Sequence, residues 1–188
     1  MKKKTFQFLY VFLITVVFVS CNDHSKFVIE KGKVGKLTTE TTIKDLNTIF
    51  AKDSIVSTLS EGALGDDYFQ DDDSYQIYEK GGKHLLTVVP KEQLDSTSTI
   101  KRVEIHDSRY HTKQNVNLNS TFSEINANNP KIRVESTLQS VTLFLDEINA
   151  TVAIDKKELG LSDFSTQKVT LEQIPDLARM KSFIIWFD

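Results

Sequence analysis

The chain is poor in the residues that staple, stiffen or punctuate small proteins: its 188 residues hold one cysteine, three prolines and seven glycines. With Cys21 alone there is no internal disulfide, so the fold must stand on a hydrophobic core. An excess of basic charge is missing as well. The formal net charge of −3 becomes −6 when Lys2, Lys3 and Lys4 are set aside, which excludes both the basic footprint of a nucleic-acid partner and a polybasic membrane patch. No apolar run is long enough to span a bilayer. The longest, Phe6 to Val19, covers fourteen residues and as a helix would reach about 21 Å against roughly 30 Å of hydrocarbon. Chemical motifs are scarce too. Lys31 to Lys36 reads Lys-Gly-Lys-Val-Gly-Lys, but its glycines stand closer together than a phosphate loop requires, so it is a turn. No serine sits in a nucleophile elbow, and no cofactor is expected.

What the chain does have begins at its start. Three lysines, then the apolar run, then Phe18-Val19-Ser20-Cys21 form a secretory leader layout. The last four residues resemble the lipobox of bacterial lipoproteins, with phenylalanine where that family usually has leucine. The resemblance implies a signal peptide over 1–20, a lipidated Cys21 as mature N-terminus and a short tether over 21–26. It also explains why the chain keeps one unpaired cysteine. Several acyl chains hold such a protein firmly, since each buried methylene contributes about 0.8 kcal/mol. Asn22 stands where aspartate would signal inner-membrane retention, so the resemblance implies an outer-membrane anchor facing the periplasm, with the membrane reached through the N-terminal lipid.

The body reads as short helices and strands. Phe27 to Ile29 is a first strand. Thr42 to Asp45 opens a helix, with Thr42 as N-cap and Ile43, Leu46, Ile49 and Phe50 on one face. Ile55 to Leu59 is a strand, Ser60 to Asp73 an acidic loop, and Lys80-Gly81-Gly82-Lys83 a hairpin turn between Tyr75–Tyr78 and Leu85–Val89. Leu94 lies in a connector, and Ile100 to Ile105 is a further strand.

The same pattern then returns. Thr121-Phe122-Ser123-Glu124-Ile125 matches Thr42-Ile43-Lys44-Asp45-Leu46, and Met180, Lys181, Phe183 and Ile185 match Ile100, Lys101, Val103 and Ile105, both about 80 positions on. Ile132 and Val134 repeat the strand after the helix; Val141–Leu145 and Ala150–Ile154 repeat the hairpin. The fold class is therefore α+β: a tandem duplicated unit of about eighty residues, each a helix packed on a small antiparallel sheet, with repeats at 27–109 and 110–188 and the two sheets either separate or joined into one. Phe183 to Phe187 is apolar on both faces and should be a central or inter-repeat strand. Over residues 27–188 the layout resembles, in pattern only, the β-lactamase-inhibitor-protein-like fold, and more loosely the small helix-and-sheet lipoproteins of outer-membrane assembly. That implies protein binding through loops and sheet faces. No motif residue carries over.

Several side chains are candidates for chemistry. The acids Glu61, Asp66, Asp67, Asp71, Asp72 and Asp73 offer oxygens to calcium but lack the alternating spacing and central glycine of a calcium loop. His106, Asp107 and His111 offer two imidazoles and a carboxylate to zinc with no third histidine or cysteine in view, so no metal site is assigned. Tyr68, Phe69, Tyr75 and Tyr78 cluster beside the acids, and such amphipathic aromatics suit a partner-contact surface. The sequence thus reads as a lipid-anchored envelope lipoprotein, a non-enzymatic protein-binding or assembly module whose partner is an envelope protein. The alternative is an envelope hydrolase or metal-dependent enzyme with its site near the repeat junction.

Overall fold

The computed structural model describes residues 26–60, 72–162 and 164–187. The leader, Cys21 and the start of the tether lie outside the described residues, as do Glu61, Asp66, Asp67, Tyr68, Phe69 and Asp71.

Eight strands form one antiparallel sheet: β4 (Ser54–Thr58), β5 (Ser74–Tyr78), β6 (His84–Pro90), β7 (Ile100–Ile105), β9 (Ile132–Ser136), β10 (Ser140–Leu145), β11 (Ala150–Asp155) and β12 (Met180–Trp186). Their order is β4-β5-β6-β7-β12-β11-β10-β9. Each half of the chain is a four-strand meander, and the last strands of the two meanders pair in the middle. The reason lies in β12, whose apolar run cannot stand at an edge and is sheltered between β7 and β11. Val88, Val103, Ile185, Ala150 and Leu145 form one cross-strand row on the core side, all of them buried.

The two meanders share their register. Thr87 pairs with Glu104, and the β6/β7 ladder slips between Val89 and Pro90; Thr151 pairs with Ile184, and the β11/β12 ladder slips between Ala153 and Ile154. Each half also opens with a capped helical turn. Thr42 starts a 3-10 turn, Ile43–Asp45, that runs into α1 (Leu46–Ile49); Thr121 starts α2 (Phe122–Asn128), where a full capping box joins Thr121 and Glu124. The backbones of Ile43 and Lys44 donate to Ser98 and Ser96, those of Phe122 and Ser123 to Ala178 and Asp176. Both helical starts are thereby tied to the connector that leads into the central strand of their own half.

Of the two arrangements left open, separate sheets or one, the eight strands adopt the single sheet. The expectation of a helix packed on its own small sheet in each half is corrected, since the first helix is only one α turn after a 3-10 turn. Asn47, Thr48 and Ile49 are weaker helix formers than the Glu124-to-Ala127 stretch, whereas α2 continues until Asn129 and Pro130, the Asn129 amide donating to the Ile125 carbonyl at 2.6 Å. The architecture is α+β and rich in sheet.

A second, four-stranded sheet has the order β3-β2-β1-β8, built from β1 (Val28–Glu30), β2 (Lys33–Val34), β3 (Leu37–Thr38) and β8 (His111–Thr112). The early strand expected at Phe27 to Ile29 belongs here, outside the large sheet. β8 runs parallel to β1, so residues just beyond 109 pack with the chain's first strand. Gly32 and Gly35 occupy the left-handed region in the two turns, as a turn reading of Lys31 to Lys36 requires. At Gly35 a Cβ would lie 2.3 Å from the Lys26 carbonyl oxygen.

Candidate functional site

One face of the eight-stranded sheet packs on the core, and the other carries a continuous row with one residue from each strand: Val56, Gln76, Thr87, Glu104, Ile184, Thr151, Phe144 and Arg133. None of these eight is buried. The period-2 alternation of each strand aims them outward. Across β7 and β12, Glu104 faces Ile184, so the last strands of the two meanders meet at the middle of the row.

Two rings flank the middle of the row. His106 follows Glu104 by two residues and its Nε2 lies 2.9 Å from the Thr87 hydroxyl; Trp186 follows Ile184 by two and its Nε1–H donates to the Thr151 hydroxyl at 3.1 Å. Around His106 a stack forms. His84 lies parallel to it at 3.8 Å, and Tyr78 covers His84 at 4.6 Å, its own hydroxyl donating to Gln76 Oε1. The protons of this stack can be assigned from the acceptors. His84 Nε2 lies 3.2 Å from the Leu86 carbonyl, which only accepts, so His84 carries its proton there. The Thr87 hydroxyl lies between the two rings, 3.2 Å from His84 Nε2 and 2.9 Å from His106 Nε2, and has lone pairs for both and one proton to give. Burial, with the second imidazole beside it, pushes His106 down to about 4.

Around Trp186 a shallow cleft of about 220 Å³ opens, lined by Arg133, Phe144, Asp146, Thr151 and Trp186 among others. The Arg133 guanidinium lies 4.7 Å from the centre of the Phe144 ring and is held by Asp146 through Nη2 and Nε at 2.9 and 3.3 Å. Arg102, opposite Trp186 in the ladder, sits 5.9 Å over the indole and is fixed by Asp72 at 2.7 Å. Two aromatic faces and two oriented guanidiniums therefore present themselves on one half of the open face, and a histidine–tyrosine stack on the other.

The residues expected from the sequence separate. Tyr78 belongs to the open face, whereas Tyr75 packs against the core. His106, Asp107 and His111 do not converge. His106 joins His84; His111 Nδ1 bonds the Arg109 carbonyl at 2.8 Å; Asp107 is buried and taken up by cations, with Arg109 Nη2 at 2.6 Å and Lys83 Nζ at 3.0 Å. Among the described residues no group of three or more metal-ligating side chains assembles. Asp72 and Asp73, the described part of the acidic loop, are also engaged: Asp72 by Arg102, and Asp73 by the backbone N–H groups of Ser60 and Leu94 at 2.7 and 2.5 Å. His84, Phe144, Arg133 and Trp186 were not singled out from the sequence. The period-2 alternation that puts His106 on the face of Glu104 and Trp186 on the face of Ile184 was the signal that could have found two of the rings.

No protein-family profile matches the chain, and no curated protein is similar to it in sequence. Among solved structures it is similar to the uncharacterized protein yfeY from Escherichia coli, with a TM-score of 0.50 and 14% identity over 86% of this chain and 99% of that one. The likeness is one of fold.

Proposed function

We propose that this chain is a lipid-anchored lipoprotein of the bacterial envelope, held at the outer membrane through Cys21 and facing the periplasm, and that it works as a non-enzymatic binding or assembly module. Its two meanders are read as copies of one ancestral unit, a reading supported by their equal register and equal capping of the helical starts. The observation that carries the binding role is the open row from Arg133 to Val56. Tryptophan, tyrosine and arginine dominate the energetics of protein interfaces, and here Trp186, Tyr78, Arg102 and Arg133 are pre-oriented by Thr151, His84, Asp72 and Asp146, which lowers the entropy lost on binding. The occupant we assign is an envelope protein.

The test is in-cell crosslinking of wild type, of Cys21→Ala, and of the double variant Phe144→Ala and Trp186→Ala. The reading expects wild type to gain fatty-acid label and a discrete crosslinked partner. Cys21→Ala should lose both; the double variant should keep the label and lose the partner. A double variant that captures the same partner in equal amount would overturn the open face as the site, and an unlabelled wild type would overturn the anchor.

A further inference from the structure

The two edges of the eight-stranded sheet are built differently. At one edge β9 carries Arg133 and Glu135 and is backed by the 3-10 turn Leu171–Gln173, while the Val169 N–H just before that turn donates to the Ser136 hydroxyl at 2.9 Å. Charges, prolines, bulges and covering segments are the devices by which a native sheet keeps its edge from pairing with another chain. At the other edge β4 has none of them. Ser54-Ile55-Val56-Ser57-Thr58-Leu59 holds no charge and no proline, its register with β5 runs from Ser54 to Thr58 without a slip, and among the described residues no element lies beyond it.

This edge is also held in a form ready to pair. Ser60, just past β4, gives its N–H and its hydroxyl to the buried Asp73 at 2.7 and 2.8 Å, which fixes the end of the strand beside β5. Every second residue of an edge strand turns its N–H and C=O away from the sheet, and those of β4 meet no ladder partner among the described residues. Apolar surface borders them, since Val56 is 50% exposed and Leu59 48%.

We infer that β4 pairs with β4 of a second copy of this chain, antiparallel about Val56, and so joins two eight-stranded sheets edge to edge. The strand itself selects this occupant. Antiparallel pairing of identical strands is twofold symmetric, so a strand that pairs with its copy must set no like charges opposite each other. About Val56 the pairs are Val56 with Val56, Ile55 with Ser57, and Ser54 with Thr58, which places valine on valine and hydroxyls where they hydrogen-bond across the strands. Residues directly opposite in such a ladder point to the same face. The open row that ends at Val56 therefore continues into the row of the second copy, with an Arg133 at each far end. Pairing doubles the open face without depending on its proposed role, because it uses only the backbone and side chains of residues 54–59.

The full-length chain in non-ionic detergent is followed by sedimentation equilibrium from about 1 to about 200 µM, since an edge contact of this length belongs with the smaller interfaces and dissociation on the order of micromolar. A monomer–dimer equilibrium is expected. Val56→Lys, at an exposed position, sets two ammoniums face to face at the twofold and should raise the dissociation constant at least about tenfold, with an unchanged melting temperature of the dilute monomer. In a Cys21→Ser background, Val56→Cys should form a disulfide between copies under copper phenanthroline, because directly opposed residues have Cα atoms about 4.5–5.5 Å apart. Leu138→Cys, comparably exposed at 54% but in the turn between β9 and β10 at the other edge, should not. A chain that stays monomeric throughout, a dimer as tight in Val56→Lys as in wild type, or equal crosslinking through Leu138→Cys overturns the inference. None of these readouts uses the lipid or the open-face rings, so failure of the pairing and failure of the anchor are separately visible.

Discussion

His84 and His106 stack with their ring centroids 3.8 Å apart and their planes 15° apart, and the Thr87 hydroxyl bridges their Nε2 atoms. Burial and the neighbouring imidazole disfavour the charged form of His106. Its proton affinity in the fold is pushed down to about 4, below the unfolded value near 6.5, so the unfolded chain binds more protons between those limits. The stack's contribution is therefore complete above about pH 6.5 and is lost as pH falls through about 4. Because the His106 side chain is 28% exposed, we expect about 2 kcal/mol across that window after screening. Urea unfolding followed from pH 7 to pH 4 should show this slope in wild type and a flatter one in His106→Gln; equal slopes would remove the stack as its origin.

Asp73 gives a second, lower window. Its side chain is fully buried; burial alone would push the carboxyl up, but the bonds from Leu94 N–H and from the Ser60 N–H and hydroxyl outweigh it and hold it below the usual range. A depressed carboxylate stabilises above its unfolded value, near 3.9, and loses that contribution as pH falls through the folded one. Asp73→Ala strands two backbone donors and should cost about 2–4 kcal/mol at pH 7, measured by chemical denaturation. A loss under about 0.5 kcal/mol would mean those donors find water.

Asp107 is the hub of Glu79, Arg109 and Lys83. Arg109 spans both acids, with Nη2 2.8 Å from Glu79 and 2.6 Å from Asp107. Asp107→Ala should destabilise by about 2–3 kcal/mol, below the full range for a broken buried pair because Arg109 keeps Glu79. Asp107→Asn should recover less than half of that, since an amide cannot replace a charge-assisted acceptor.

At Gly35 strain and crowding coincide. Its φ of 57° is costly for any residue with a Cβ, and the 2.3 Å approach to the Lys26 carbonyl would force the backbone apart. Gly35→Ala should therefore lower stability by about 2–4 kcal/mol, whereas Gly81→Ala and Gly82→Ala, with nothing within 4 Å of the added carbon, should cost only about 1 kcal/mol each from positive φ. Thermal melts of the three variants give the comparison.

Much of the local structure was legible because it is locally determined. Thr42 and Thr121 announce helical starts through their own side chains, Gly81 and Gly82 announce a tight turn, and β6, β10 and β11 follow from apolar runs of strand length. The site was not legible for the same reason inverted. That Tyr75 and Tyr78, three positions apart, fall on opposite faces follows from strand alternation, but which face meets the core depends on the whole sheet. His84 and His106 meet only because β6 pairs with β7.

The amino-acid sequence by itself determined the composition of the core, the caps and turns, and the apolar character of Phe183 to Phe187, since each rests on interactions within a few residues or on transfer from water. Only the tertiary structure decided that the two meanders join as one sheet across Glu104 and Ile184, that Asp107 serves Arg109 and Lys83, and that Tyr110 packs edge-on against Phe27. Those outcomes depend on strand register and on contacts between residues distant in the chain, and no local propensity encodes either.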